Sequence, residues 1–125
     1  MHIQEPVKTV VIVGATRPEP SVEKELEARG ICMRWARTIK EAAALLKPPL
    51  NRTVVISDIA LKDGNWRDLL ESVRRSSIPV LLLSPTSTAE LWWDALDCGV
   101  EDILAAPLSA SRLSEYVEKQ FRKQK

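Results

Sequence analysis

Short apolar runs alternate along this chain with stretches in which apolar residues recur at helical spacing. Val10, Val11, Ile12 and Val13 form a continuous β-branched run closed by Gly14, which predicts a buried strand. Pro18, Glu19 and Pro20 break the chain, and Ser21 is the expected cap of a helix carrying Val22 and Leu26 and stopping at Gly30. A second, weaker strand is predicted over 31–36. Thr38 with Glu41 three residues on forms a capping box, and the helix it opens places Ile39, Ala42, Ala43 and Leu46 on one face before Pro48 and Pro49 end it. Residues 53–57 (TVVIS) read as a third strand apolar on both faces, and Asp63-Gly64 as a turn. Trp66, Leu69, Leu70 and Val73 then recur at helical spacing.

A fourth strand is predicted over 80–83. Ser87 and Glu90 make another capping box, opening a helix with Ala89, Trp92, Trp93 and Leu96 that Gly99 terminates. A short fifth strand centres on Ile103 and Leu104. Ser109 caps a last helix bearing Leu113, Tyr116, Val117 and Phe121, and the RKQK tail is expected to fray. Strict alternation of five strands and five helices predicts an α/β domain: a parallel sheet with right-handed crossovers, covered by helices on both faces. The chain reads as one domain over 1–125 with a structured core over 7–121.

Composition narrows the possibilities. The 125 residues carry 18 Lys+Arg against 17 Asp+Glu, a formal net charge of +1. Direct nucleic-acid or membrane-surface binding is therefore not expected. No apolar run approaches the roughly 18 residues of a membrane span, and the N-terminal MHIQEPVK lacks the layout of a secretory leader. Cys32 and Cys98 are far apart in sequence and read as small buried hydrophobes. A reduced, cytoplasmic protein is the expectation. The single histidine, His2, leaves no room for a Ser/His/Asp or Cys/His triad, and an enzymatic role is not expected.

In a parallel sheet covered on both faces, chemistry belongs at the carboxyl ends of the strands. Those ends are Gly14-Ala15, Asp58, Ser84 and Ala106, of which only Asp58 is charged. The turn after the first strand, VGATR, has one glycine and matches neither common phosphate-binding fingerprint.

The sequence around Asp58 carries more. SDIALKDG (57–64), PVLLLS (79–84) and CGVEDILAAPL (98–108) occur in this order with suitable spacing. Together they resemble the three diagnostic segments of the receiver domain of two-component response regulators, and the resemblance spans essentially the whole chain. It implies a three-layer flavodoxin/CheY-like (βα)5 fold with a five-stranded parallel sheet in the order 2-1-3-4-5. It also implies that Asp58 stands at the phosphoacceptor position and Ser84 at the switch hydroxyl.

Other positions depart from the receiver pattern. Gly14 and Ala15 stand where the family has a pair of acids, Ala106 where it has a lysine, Ile103 where it has an aromatic, Pro85 where it has a small residue and Lys62 where it has a proline. Phosphoryl transfer to a carboxylate needs cations around the transferring oxygens. With only Asp58 and the backbone carbonyl of Ala60 as metal ligands, the cofactor expectation is none, or weakly bound Mg²⁺. Each missing charge contact is worth about 4 kcal/mol at about 4 Å and an effective dielectric of about 20, before desolvation. The candidates to substitute are Lys62, four residues after Asp58 on the same loop, and Glu19, from the loop after the first strand.

The resulting expectation is a degenerate, pseudo-receiver-like signalling domain with impaired phosphorylation, acting through protein–protein contact. Two rivals stand beside it: a conventional receiver phosphorylated at Asp58 by a histidine kinase, and a small-ligand sensor using the space cleared at Gly14, Ala15 and Ala106. The expected partners are a histidine kinase, an output domain or a second copy of the chain. The expected contact face comprises Leu91, Trp92, Trp93, Ile103 and Tyr116, with Leu91 and one tryptophan exposed.

Overall fold

A computed structural model describes residues 8–46, 52–86 and 88–123. Five parallel strands, β1 (Lys8–Val13), β2 (Ile31–Ala36), β3 (Thr53–Asp58), β6 (Val80–Ser84) and β7 (Asp102–Ala105), pair in the order β2-β1-β3-β6-β7. Two further strands, β4 (Ala60–Leu61) and β5 (Gly64–Asn65), form a small antiparallel hairpin directly after Asp58. With the hairpin set aside, the order is the expected 2-1-3-4-5. The helices are α1 (Pro20–Ala28), α2 (Ile39–Leu45), α3 (Trp66–Val73), α4 (Ala89–Asp97) and α5 (Ala110–Lys123).

Strand side chains alternate between two apolar layers, as a pleated sheet covered on both faces requires. Val11, Val13, Val55, Val80, Leu82 and Ile103 pack with Ile39, Ala42, Trp66, Leu69, Val73 and Ala95 beneath α2, α3 and α4. Val10, Val54, Ile56, Leu81 and Leu104 pack with Leu26, Leu113, Val117 and Phe121 beneath α1 and α5. Each such aliphatic side chain contributes about 1.5–3 kcal/mol of transfer free energy. An Arg29 guanidinium bonded to Glu25 at 3.1 Å and to Glu118 ties α1 to α5, and an Arg67–Asp94 ion pair ties α3 to α4.

Several helix starts differ from expectation. Glu19, not Ser21, is the N-cap of α1; Pro20 occupies the first turn, where its missing N–H costs nothing. Thr88 caps α4, its hydroxyl accepting from Leu91 N at 3.1 Å; Ser87 lies outside the described residues, as do Pro48 and Pro49. Thr38 and Ser109 cap as expected, accepting from Glu41 N at 3.0 Å and Arg112 N at 3.2 Å. Gly30 and Gly99 follow α1 and α4 with φ of 75° and 102°, the left-handed stop that favours glycine.

The hairpin also holds α2. The Asp63 carboxylate accepts from Ile39 N at 2.8 Å and Lys40 N at 3.2 Å, so a residue of the loop after Asp58 caps a neighbouring helix. These backbone donors hold the Asp63 carboxyl below the usual carboxylate range, with Ile39 N the largest contributor. A depressed folded-state pKa gives stability that is complete above the unfolded-state value and is lost as pH falls through the folded one. Asp63→Ala is expected to lower the thermal midpoint at pH 7, with the gap to the parent chain closing below about pH 4. Melts of both proteins across that range check this; a gap independent of pH would exclude a charged cap.

Candidate functional site

β3 is buried until its last residue, so the backbone delivers Asp58 to the carboxyl edge with its side chain half-buried. Gly14 ends the neighbouring β1. A β-carbon on Gly14 would lie 2.4 Å from Asp58 Oδ2 and 3.0 Å from its Cγ. The carboxylate therefore lies over the Gly14 backbone, in space that any larger residue there would claim. The notch expected at Gly14 is filled from within the molecule, by Asp58 itself.

Burial raises the Asp58 carboxyl above its ordinary range, and desolvation is the cause. Among the described residues, Asp58 makes no ion pair. Lys62 is exposed in the turn between β4 and β5, and Glu19 is exposed at the start of α1. Ala15 is exposed and Ala106 half-buried, so neither position adds a charge.

Ser84 is buried at the end of β6. Its hydroxyl donates to the carbonyl of Thr86 and accepts from Thr86 N at 3.2 Å, so the loop beyond β6 engages both functions of this group. Ala106 N donates to Ser84 O at 2.8 Å, which joins the ends of β6 and β7.

Among the described residues, no three His, Cys, Asp or Glu side chains come together to hold a metal ion. Mg²⁺ requires near-octahedral oxygen ligation and sheds water reluctantly. One half-buried carboxylate and the Ala60 carbonyl fall short of that, and the donor set does not fit the ion.

Sequence reasoning missed the neighbour of this site. Trp35, near the end of β2, donates from Nε1 to Gly14 O at 2.9 Å. The guanidinium groups of Arg17 and Arg37 lie 5.6 and 5.3 Å from its ring centroid, within cation–π range. Nothing in the residue pattern announces this, because Gly14 and Arg17 follow β1 while Trp35 and Arg37 lie at the end of β2, and only the β1–β2 pairing brings the two segments together.

The expected contact face needs correction. Ile103 is buried in the core beneath α4, Leu91 is half-buried against the same core, and Tyr116 packs into the opposite layer. Of the expected residues, Trp93 (72%) and Trp92 (37%) are exposed, and Leu96 (40%), which was not expected, joins them. With Ala89 they line a shallow apolar groove of about 440 Å³. Ala89, Trp92, Trp93 and Leu96 have the i, i+3, i+4, i+7 spacing of a core-facing stripe, yet this stripe faces outward while Leu91 and Ala95 pack inward.

No protein-family model matches the chain, and no curated protein sequence does. Solved structures do. A response regulator from Desulfuromonas acetoxidans superposes with a TM-score of 0.81 at 23% identity, covering 94% of this chain and 99% of that one. A CheY-like response regulator receiver domain protein from Methanospirillum hungatei gives 0.80 at 21% identity, covering 94% and 96%. A Francisella response regulator receiver domain gives 0.78 at 24% identity, covering 94% and 99%. The chain thus has the CheY-like receiver fold. No helix among the described residues is long and apolar enough to cross a membrane.

The contact between Asp58 and Gly14 is measurable. Gly14→Ala is expected to destabilise the parent chain by about 0.5–3 kcal/mol more than it destabilises Asp58→Ala, the range of coupling for touching residues. Chemical denaturation of the four proteins of this cycle gives the value. Equal costs in both backgrounds would mean that the carboxylate does not lie over position 14.

Proposed function

We propose that this chain is a receiver-type signalling domain that works through contacts with other proteins, with aspartyl phosphorylation at Asp58 impaired. The observation that carries this reading is the isolation of the Asp58 carboxylate. It is half-buried, laid over Gly14 and unpaired among the described residues. Transfer of a phosphoryl group gathers negative charge on its equatorial oxygens, and positioned cations are what lower that barrier. A desolvated lone carboxylate supplies no such cation. The engagement of the Ser84 hydroxyl by Thr86 supports the same reading, since a switch hydroxyl must be free to turn toward the modified aspartate.

Contact with a partner is favoured by the outward apolar stripe of α4. Exposed tryptophans in a continuous apolar patch are a recurrent mark of protein interfaces, where a few aromatic anchors carry most of the binding energy. A histidine kinase, an output domain and a second copy of the chain are the partner classes consistent with the fold. The reading as a small-ligand sensor at Gly14 has less support, because Asp58 takes up the space it requires.

Incubation with acetyl phosphate and Mg²⁺, followed by intact-mass measurement, is expected to return the unmodified chain. A quantitative gain of one phosphoryl group that Asp58→Asn abolishes would establish the conventional receiver instead.

For the contact face, sedimentation velocity over a concentration series is expected to show association that Trp93→Ala weakens about tenfold or more, the loss typical of a buried aromatic anchor. Identical sedimentation of parent and variant at every concentration would remove α4 from the reading.

A further inference from the structure

Lysine, arginine and histidine are absent from residues 76–111, a stretch that carries Glu90, Asp94, Asp97, Glu101 and Asp102. The rest of the chain holds all 18 Lys+Arg and 12 of the 17 acids, so a nearly neutral molecule divides into one acidic segment and a basic remainder. That segment contains α4, and with it the outward stripe of Trp92, Trp93 and Leu96. Glu90 stands three residues before Trp93 and Asp97 four residues after it, so helical periodicity sets both on one flank of the stripe. Both are exposed, and neither forms an ion pair with a described residue. Asp94, further round the helix, is held by Arg67 of α3. The apolar groove thus has an acidic border, and its own helix carries no cation to offset it.

Resting on the role of α4 as a contact face, we propose that the stripe receives an amphipathic helix of a partner protein that carries lysine or arginine beside its apolar positions. The stripe runs from Ala89 to Leu96, about 10 Å at 1.5 Å per residue, a length that two turns of a facing helix span. The tryptophan rings meet the apolar side chains of that helix, and Glu90 and Asp97 meet its cations. Charge sets the other candidates aside. Cytoplasmic membrane surfaces and nucleic acids are anionic and would face the same acids. A second copy docking α4 against α4 would set Glu90 and Asp97 against their like. Self-association through the stripe is therefore the weaker mode and gains from added salt, whereas a basic helix is weakened by it.

The probe is a synthetic helical peptide of about 18 residues, with leucine at helical spacing and lysine on the flanks, beside versions carrying glutamine or glutamate in place of lysine. Titrated into isotope-labelled chain and followed by nuclear magnetic resonance, the lysine peptide is expected to give saturable amide shifts centred on residues 89–97. It should bind about tenfold or more tighter than the glutamate peptide at about 0.1 M salt, and about 1 M salt should close most of that gap. Trp93→Ala should weaken the lysine peptide about tenfold or more. Glu90→Gln and Asp97→Asn, both at exposed positions, should each weaken it about two- to fivefold, the worth of an exposed ion pair. Equal, Trp93-dependent binding of all three peptides overturns the basic partner while leaving α4 a contact face. Absence of saturable shifts with the lysine peptide overturns the proposal, as does binding that Trp93→Ala leaves unchanged. Two further results would replace the occupant: Trp93-dependent co-sedimentation with phosphatidylserine vesicles, which marks a lipid surface, and self-association at low salt that shuts out the lysine peptide, which marks a second copy.

Discussion

A sheet whose central strands are apolar on both faces has nowhere to put a charge except at the strand ends. Val54, Val55 and Ile56 are buried against helices on either side, as are Val80, Leu81 and Leu82. A carboxylate within either run would lose its water without gaining a partner, a penalty far above the net stability of a small domain. The same burial that holds the domain together therefore gathers Asp58, Ser84, Gly14 and Ala106 at one edge. The alternation of side chains between layers leaves each strand's last residue free to face the loops. Function at this edge is thus set by what the four strand ends and the loops beyond them carry, and here only one of those ends is ionisable.

The state of that one group follows from its surroundings. Burial favours the neutral form of Asp58, so the folded state holds its proton more tightly than the unfolded chain does. The sign is the reverse of that at Asp63. Ionised Asp58 opposes folding once pH exceeds the folded-state value, and the opposition vanishes below the unfolded-state value. Two aspartates five positions apart in sequence thus act in opposite directions. One accepts two backbone N–H groups and secures a helix, while the other surrenders solvent and receives no cation in return.

The sheet and the place of Asp58 were legible because each rests on a local rule, namely β-branched runs, helical spacing and the position of a lone charge after an apolar run, whereas the strand order was implied only by the resemblance to receiver domains. Other features rest on relations the linear pattern does not encode. Asp63-Gly64 reads as a turn on its own terms, and nothing near it says that its carboxylate will cap a helix 24 residues back. The hairpin of β4 and β5 has only two residues in each strand, too few for a periodic signal. In α4, the residues with ideal core spacing are the ones left outside. Burying Leu91 and Ala95 turns Trp92, Trp93 and Leu96 outward together, since adjacent helical residues differ by about 100°. A helix apolar on two sides leaves its orientation open to pattern reading. The sheet contact decides it.

The departures from the receiver pattern also form a consistent set. An edge with three carboxylates and a lysine depends on a bound divalent cation to relieve repulsion among the acids. Replacing only the lysine would leave three anions crowded together. Replacing only the two acids would leave an aspartate–lysine pair whose mutual attraction would compete with any incoming phosphoryl group. With Gly14, Ala15 and Ala106 together, the acids and the cation are absent at once, and what remains is a single carboxylate that one glycine can shelter. Such an edge has no crowd of acids for a metal to relieve, and one carboxylate is all the charge its strand ends carry. An interaction domain that must hold one shape would be served by that condition, whereas a switch that must change shape on modification would not. The outward tryptophans of α4 fit the former, because a rigid apolar anchor loses little entropy on binding when its backbone does not have to move.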